Sequence, residues 1–164
     1  IPADHWTQDR EKGGGRIIGE GCHFIDLLRF LAGSEITNIQ STMMGVADGV
    51  VIRDDKATMT MSFADGSFGT VHYLANGSKA FPKERLEVFS DGRILQLDNF
   101  RKLTGFGWGG FSRLKKFQQD KGQSACAQAF VDAVVNGTEA PIPFSEVVEV
   151  AEACFDVVDD LASQ

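Results

Sequence analysis

The chain is short of cysteine, proline and tyrosine, with three, four and one among its 164 residues. Cys22, Cys126 and Cys154 form no C-x-x-C pair, and their odd number argues against a disulfide framework. All three fall in helical patterns, where a free cysteine usually behaves as a small buried hydrophobe. No run of about 18 apolar residues occurs, and no basic-then-apolar leader is present. Neither a membrane span nor a retained signal peptide is therefore expected, and a cytoplasmic setting is. Basic residues are also in deficit: 16 Lys and Arg stand against 23 Asp and Glu, for a net charge of −7. A nucleic-acid surface needs clustered basic charge, so no nucleic-acid partner is expected. The one basic cluster, Arg113, Lys115 and Lys116, reads as solvated charge on an edge strand. The chain starts at Ile1 rather than Met and reads as a piece cut at a domain boundary.

Apolar residues make up 43% of the sequence and include 13 phenylalanines, which suits a single folded domain over residues 1–164. Apolar positions recur at helical spacing over about 18–32, with Phe24, Leu27, Leu28 and Leu31 as a stripe and Gly33 as C-cap. Residues 36–44 read as a strand. Thr58 to Phe63 alternates with period two and meets Asp65-Gly66, a two-residue hairpin signal. That turn places Met59, Met61 and Phe63 on one face with Phe68, Thr70, His72 and Leu74, leaving Val71 and Tyr73 on the other with Thr58, Thr60 and Ser62. On this register His72 is a core residue. Asp91-Gly92 repeats the device and sets Leu86 and Val88 beside Leu95 and Leu97. Residues 101–116 add one or two strands or a glycine-rich loop. Two helices follow, about 123–135, ended by Asn136-Gly137, and about 145–161. The second has Ser145 as N-cap and a stripe of Val147, Val150, Ala151, Cys154, Phe155 and Val158. One helix, a run of strands and two helices make an α+β fold, a largely antiparallel open sheet with helices packed on one face. Gly105-Phe106-Gly107-Trp108-Gly109-Gly110 lacks the crossover helix of a dinucleotide site, so this chain alone is expected to bind no nicotinamide cofactor.

Chemistry is concentrated in Gly13-Gly14-Gly15-Arg16-Ile17-Ile18-Gly19-Glu20-Gly21-Cys22-His23-Phe24-Ile25-Asp26-Leu27-Leu28, where glycines feed a helix with a histidine in its first turns. A helix N-terminus favours the neutral imidazole, the form that accepts a proton. Glu20 and Asp26 each lie three residues from His23, within reach on a helix. The three could also be read as metal ligands, although no His-x-x-x-His or cysteine pair supports that. Upstream, His5, Trp6, Asp9 and Arg10 form a polar segment with one large aromatic, which suits either a sugar-binding surface or a linker docked on the helix.

This glycine-histidine run, the turns at Asp65-Gly66 and Asp91-Gly92, the Phe81-Pro82-Lys83-Glu84-Arg85-Leu86 stretch and the closing Asn136-Gly137 and Pro141-Ile142-Pro143-Phe144 pattern together resemble the C-terminal domain of the Gfo/Idh/MocA oxidoreductases. The resemblance implies a fold like the C-terminal domain of glyceraldehyde-3-phosphate dehydrogenase. It also implies an NAD(P)-dependent oxidoreductase acting on a sugar, polyol or related hydroxylated small molecule. NAD or NADP would be held by an N-terminal Rossmann domain absent from this chain. It further implies a homodimer or higher oligomer paired through the open sheet face. His23 would relay a proton, Glu20 or Asp26 would orient it, and His5, Trp6 and Arg10 would contact substrate. The family carries an aspartate four residues before the histidine, and here that position is Gly19. The departure leaves open a non-catalytic oligomerisation or binding module, and carboxylates near a cleft, which can do acid and base work, leave open an NAD-assisted glycoside hydrolase or lyase.

Overall fold

The computed structural model describes residues 2–164; Ile1, on which the reading of a domain boundary rests, lies outside them. The chain forms two compact units, one of residues up to Asn76 together with Ile142–Gln164, the other Gly77–Pro141.

In the first unit, strands β1 (Ile36–Met43), β2 (Lys56–Phe63) and β3 (Phe68–Leu74) form an antiparallel sheet in chain order. Helices α1 (Cys22–Ala32) and α3 (Phe144–Ala162) pack on it, α3 against β1 and α1 against β3. β2 shows why this sheet forms: Ala57, Met59, Met61 and Phe63 are buried and alternate with Thr58, Thr60 and Ser62. Period-two alternation sends one set to a core and the other to the outer face. Ile25, Val157 and Leu161 complete the centre of that core.

The expected register of β2 against β3 is wrong by one residue. Phe63 N–H donates to the Ser67 carbonyl (2.9 Å) and Gly66 N–H to the Phe63 carbonyl (3.0 Å). These bonds close a loop of Ala64, Asp65 and Gly66, with Gly66 at φ +87°. A three-residue loop of this kind carries one residue more than the expected two-residue turn, and a one-residue change moves every side chain to the other face. Met59 therefore pairs with Val71 and Ala57 with Tyr73, while His72 pairs with Thr58. Val71 and Tyr73 are core, and His72 is exposed, its Nδ1 3.0 Å from Thr58 Oγ1.

Both long helices are rotated from their expected stripes. On α1, Ile25 and Arg29 are buried while Leu31 is exposed. Arg29 can turn inward because Glu149 on α3 accepts from its Nε at 2.9 Å, and a buried charge needs a partner of this kind. On α3 the inward line is Val150, Ala153, Cys154, Val157 and Leu161; Val147 and Phe155 lie outside it. Pro143, not Ser145, precedes the first turn, its carbonyl accepting from Glu146 and Val147. Side chains of α3 and of the residue just beyond its cap also reach the edge strand: Glu149 accepts from Ile36 N–H (2.5 Å), Asp160 from Ser41 N–H (2.7 Å) and Gln164 from Met43 N–H (3.3 Å). An edge strand otherwise leaves such donors unpaired.

In the second unit, β4 (Arg85–Ser90), β5 (Arg93–Asp98), β6 (Lys102–Phe106) and β7 (Arg113–Lys115) form an antiparallel meander, followed by α2 (Gln123–Asn136). Asp91 and Gly92 both have positive φ, 49° and 70°, as a two-residue type I′ turn requires. Leu86 pairs with Leu97 and Val88 with Leu95, as expected from sequence. Gly105 within β6 makes room for aromatics: a Cβ there would sit 2.7 Å from Phe111 Cδ1 and 3.1 Å from Trp108 Cδ1. Cys126 on α2 is exposed, unlike the buried Cys154. The fold is α+β with every strand pair antiparallel, and the strands divide between two sheets. Among the described residues no helix is long and apolar enough to cross a membrane.

Candidate functional site

The glycine run is a turn that lays the N-terminal segment across the start of a helix. Trp6–Gln8 form a 3-10 turn capped by the preceding residue, His5, which accepts from Thr7 N–H through Nδ1, an atom that also lies 2.8 Å from Thr7 Oγ1. Asp9 then accepts from Glu11 and Lys12 N–H. Its carboxyl is held below the usual carboxylate range by hydrogen bonds from Lys12. Gly13 passes so close beneath Trp6 that a Cβ there would lie 2.5 Å from the Trp6 carbonyl oxygen. Gly14 and Gly15 follow at φ +72° and +81°, values that glycine adopts without steric cost.

The helical run begins at Gly15, earlier than expected, so His23 stands in its third turn. The stabilising field of a helix N-terminus fades within the first turn. Ile17–Gly21 form a π-turn, in which Cys22 N–H reaches back to the Ile17 carbonyl. Such single turns are frequent at functional sites. A π-turn holds more residues per turn than an α-turn, so a residue three positions before His23 no longer shares its face as it would in an α-helix. Glu20 instead stands 3.8 Å from Arg16 Nη1, an i,i+4 ion pair. His23 and Asp26 are both exposed. Among the described residues no hydrogen bond joins Glu20 or Asp26 to the His23 ring. No group of three or more His, Cys, Asp or Glu side chains converges on a metal position among them either.

Arg16 carried no role in the sequence reading. Its guanidinium lies 5.9 Å above the Tyr73 ring, and its Nε is buried without a partner. Burial pushes the Tyr73 hydroxyl above its ordinary value, against the opposing pull of Arg16. On the side of α1 facing α3, burial likewise raises the Cys22 thiol and pushes Cys154 up to about 12, so both stay protonated.

The upstream segment is tied to the loop before β2. Arg10 pairs with Asp54 at 3.3 Å, and Gln8 Nε2 donates to Asp55 Oδ2 at 3.1 Å. Arg10, Gly14, Gly15, Arg16 and Asp54 surround one narrow packing gap together with Ile17, Val158 and Leu161. His5 and Trp6 lie side by side, ring centroids 5.9 Å apart, with Trp6 61% exposed. The structure thus gathers Arg10 with Arg16 and His5 with Trp6. Gln8, Asp54 and Asp55 were not singled out from sequence. An Asp-Asp-Lys run before a strand carries no signal of a partner more than 40 residues earlier.

A three-stranded antiparallel sheet under two helices, one of them entered through a glycine turn and bearing an exposed histidine, is the layout of an α+β C-terminal domain of oxidoreductases. The chain belongs to the GFO/IDH/MocA C-terminal domain family, whose model matches residues 1–95. Among solved structures, aldose-aldose oxidoreductase from Caulobacter crescentus complexed with glycerol is similar over 99% of this chain and 50% of its own, at 15% identity and a TM-score of 0.75. UDP-N-acetylglucosamine 3-dehydrogenase GnnA from Acidithiobacillus ferrooxidans is similar over 87% of this chain and 46% of its own, at 19% identity and 0.64. GenD2 from gentamicin A biosynthesis, in complex with NAD, is similar over 98% and 50%, at 20% identity and 0.69. The chain spans about half the length of these solved relatives. No curated protein matches it.

Proposed function

We propose that this chain is the substrate-binding half of an NAD(P)-dependent oxidoreductase acting on a sugar, polyol or related hydroxylated small molecule. The observation that carries this reading is His23, exposed on the helix that leaves the glycine turn, in a chain of this family. A carbon gives up hydride only as its attached hydroxyl loses a proton. His23 takes that proton, and Asp26 is the better placed of the two carboxylates to orient it, since Glu20 faces Arg16. His5, Trp6 and Arg10 contact the substrate. NAD or NADP comes from an N-terminal nucleotide-binding domain, which supplies the hydride acceptor. Relatives solved with NAD support this part of the reading.

The sheet face opposite the helices supports self-association. It presents Gln40, Thr42, Thr58, Thr60, Thr70 and His72 on one face, and two copies pairing through it would form a symmetric dimer. A cytoplasmic setting, where free thiols stay reduced, completes the proposal.

The test is turnover by the complete protein of a panel of aldoses, polyols and UDP-sugars with NAD+ or NADP+. His23→Ala is expected to lower kcat by about 100-fold or more, the usual share of a positioned general base. Turnover within a few-fold of wild type would remove His23 from the chemistry and leave the non-catalytic module as the better reading. Products formed without net reduction of the nicotinamide would favour the hydrolase or lyase reading.

A further inference from the structure

We propose that Gln8, Asp55 and Gly13 are positioning residues that hold the Trp6 indole as a preformed stacking surface for a sugar ring. This rests on the functional reading above and concerns residues that reading leaves without a role. Trp6 is the largest side chain of the N-terminal segment, and its exposure is not that of a loose residue. Its turn is closed from within: Gln8 N–H donates to the His5 carbonyl (2.9 Å), Asp9 N–H to the Trp6 carbonyl (3.2 Å) and Gly13 N–H to the Asp9 carbonyl (2.8 Å).

Two further contacts fix where that turn sits. Asp55 is one of the few buried charged residues, 5% exposed. One of its oxygens is held by the Lys56 ammonium, which also donates to the Ile52 carbonyl at 2.7 Å. The other oxygen accepts from Gln8 Nε2. A buried carboxylate needs its acceptor sites filled, so Asp55 holds Gln8, two residues from Trp6, to the base of β2. From below, Gly13 sets the distance. A Cβ at that position would lie 2.9 Å from Thr7 Cα and 3.2 Å from Trp6 Cε3. One ring carbon of the indole thus lies over a residue with no side chain, while Trp6 stays 61% exposed with the His5 ring centroid 5.9 Å away.

An aromatic surface ordered before the ligand arrives loses little freedom on binding, and the apolar face of a sugar ring is its natural partner. Asp54 and Arg10 form a second tether at 3.3 Å, but that pair is exposed, and such pairs contribute little. Gln8–Asp55 and Gly13 carry the positioning.

The experiment uses Trp6 as its own probe. The sequence has two tryptophans, so Trp108→Phe leaves Trp6 alone. Time-resolved anisotropy then reports its motion in the parent, in Gln8→Leu and in Gly13→Ala, each checked for native far-UV circular dichroism. Both substitutions are expected to release fast rotation of the indole. In the complete protein, each is expected to raise KM about tenfold for the panel member that is turned over, with kcat within about twofold, as for a lost binding contact. Unchanged indole motion in both variants overturns the proposal. Released motion with an unchanged KM overturns the sugar-stacking role and leaves the His23 reading intact. Full turnover by His23→Ala overturns the functional reading itself, while the anisotropy still decides whether Gln8 and Gly13 hold Trp6.

Discussion

At the scale of single residues, the glycines of this chain do different jobs that their identity alone does not reveal. Gly69 sits under α1, where a Cβ would lie 2.8 Å from Leu28 Cδ1. Gly19 has open space around it, its nearest such contact the Gly13 carbonyl oxygen at 3.8 Å. Gly69→Ala is expected to destabilise the chain by about 1–3 kcal/mol through overpacking. Gly19→Ala is expected to stabilise it by about 0.5–1 kcal/mol, because the helix then loses less backbone entropy on folding. Urea midpoints of the two variants read both effects, and a tolerated Gly69→Ala would remove the close helix-sheet contact. The carboxylates divide in a similar way. Glu20 was legible as a charged neighbour of His23 three residues away, and the charge it stands beside is that of Arg16, four residues before it.

At the scale of elements, α3 works as a clasp on the edge strand. Glu149 joins it to Arg29 of α1 and to Ile36 N–H of β1. At its far end Asp160 accepts from both Ser41 N–H (2.7 Å) and Ser41 Oγ (2.6 Å). Those hydrogen bonds hold the Asp160 carboxyl below its ordinary value. The folded-state value is depressed, so this contribution is present above the unfolded value of about 4 and is lost as the pH falls through the folded one. Stability of the wild type should therefore fall below about pH 4 more steeply than that of Asp160→Asn, while the variant is the weaker of the two at pH 7. Urea unfolding between pH 7 and pH 2 checks this, and parallel curves would rule the clasp out as a source of the acid dependence. The Asp91-Gly92 hairpin was legible from two residues because both adopt positive φ and leave only one register. Asp65-Gly66 was misread because Ala64 joins the loop, and nothing local distinguishes the two cases.

At the scale of the whole molecule, the proposed dimer makes a direct prediction. Thr60→Glu with Thr70→Glu places like charges across a cross-strand pair on the open face, and doubles them where two copies meet. Sedimentation should show the wild type as a dimer and the double variant as a monomer; a monomeric wild type would end the dimer proposal. The sequence by itself determined the order and kind of the elements outside residues 101–116, which it left open between strands and a loop, because those elements follow from local periodicity and turn residues; it also carried the motifs through which the chain resembles its family. Tertiary structure alone decided which helix faces are buried, which face of β3 is core, the division of the strands between two sheets, and the tie from Gln8 to Asp55. Those depend on a single-residue count in a loop and on partners far apart in the chain. Packing selects among such arrangements only when the whole core closes at once.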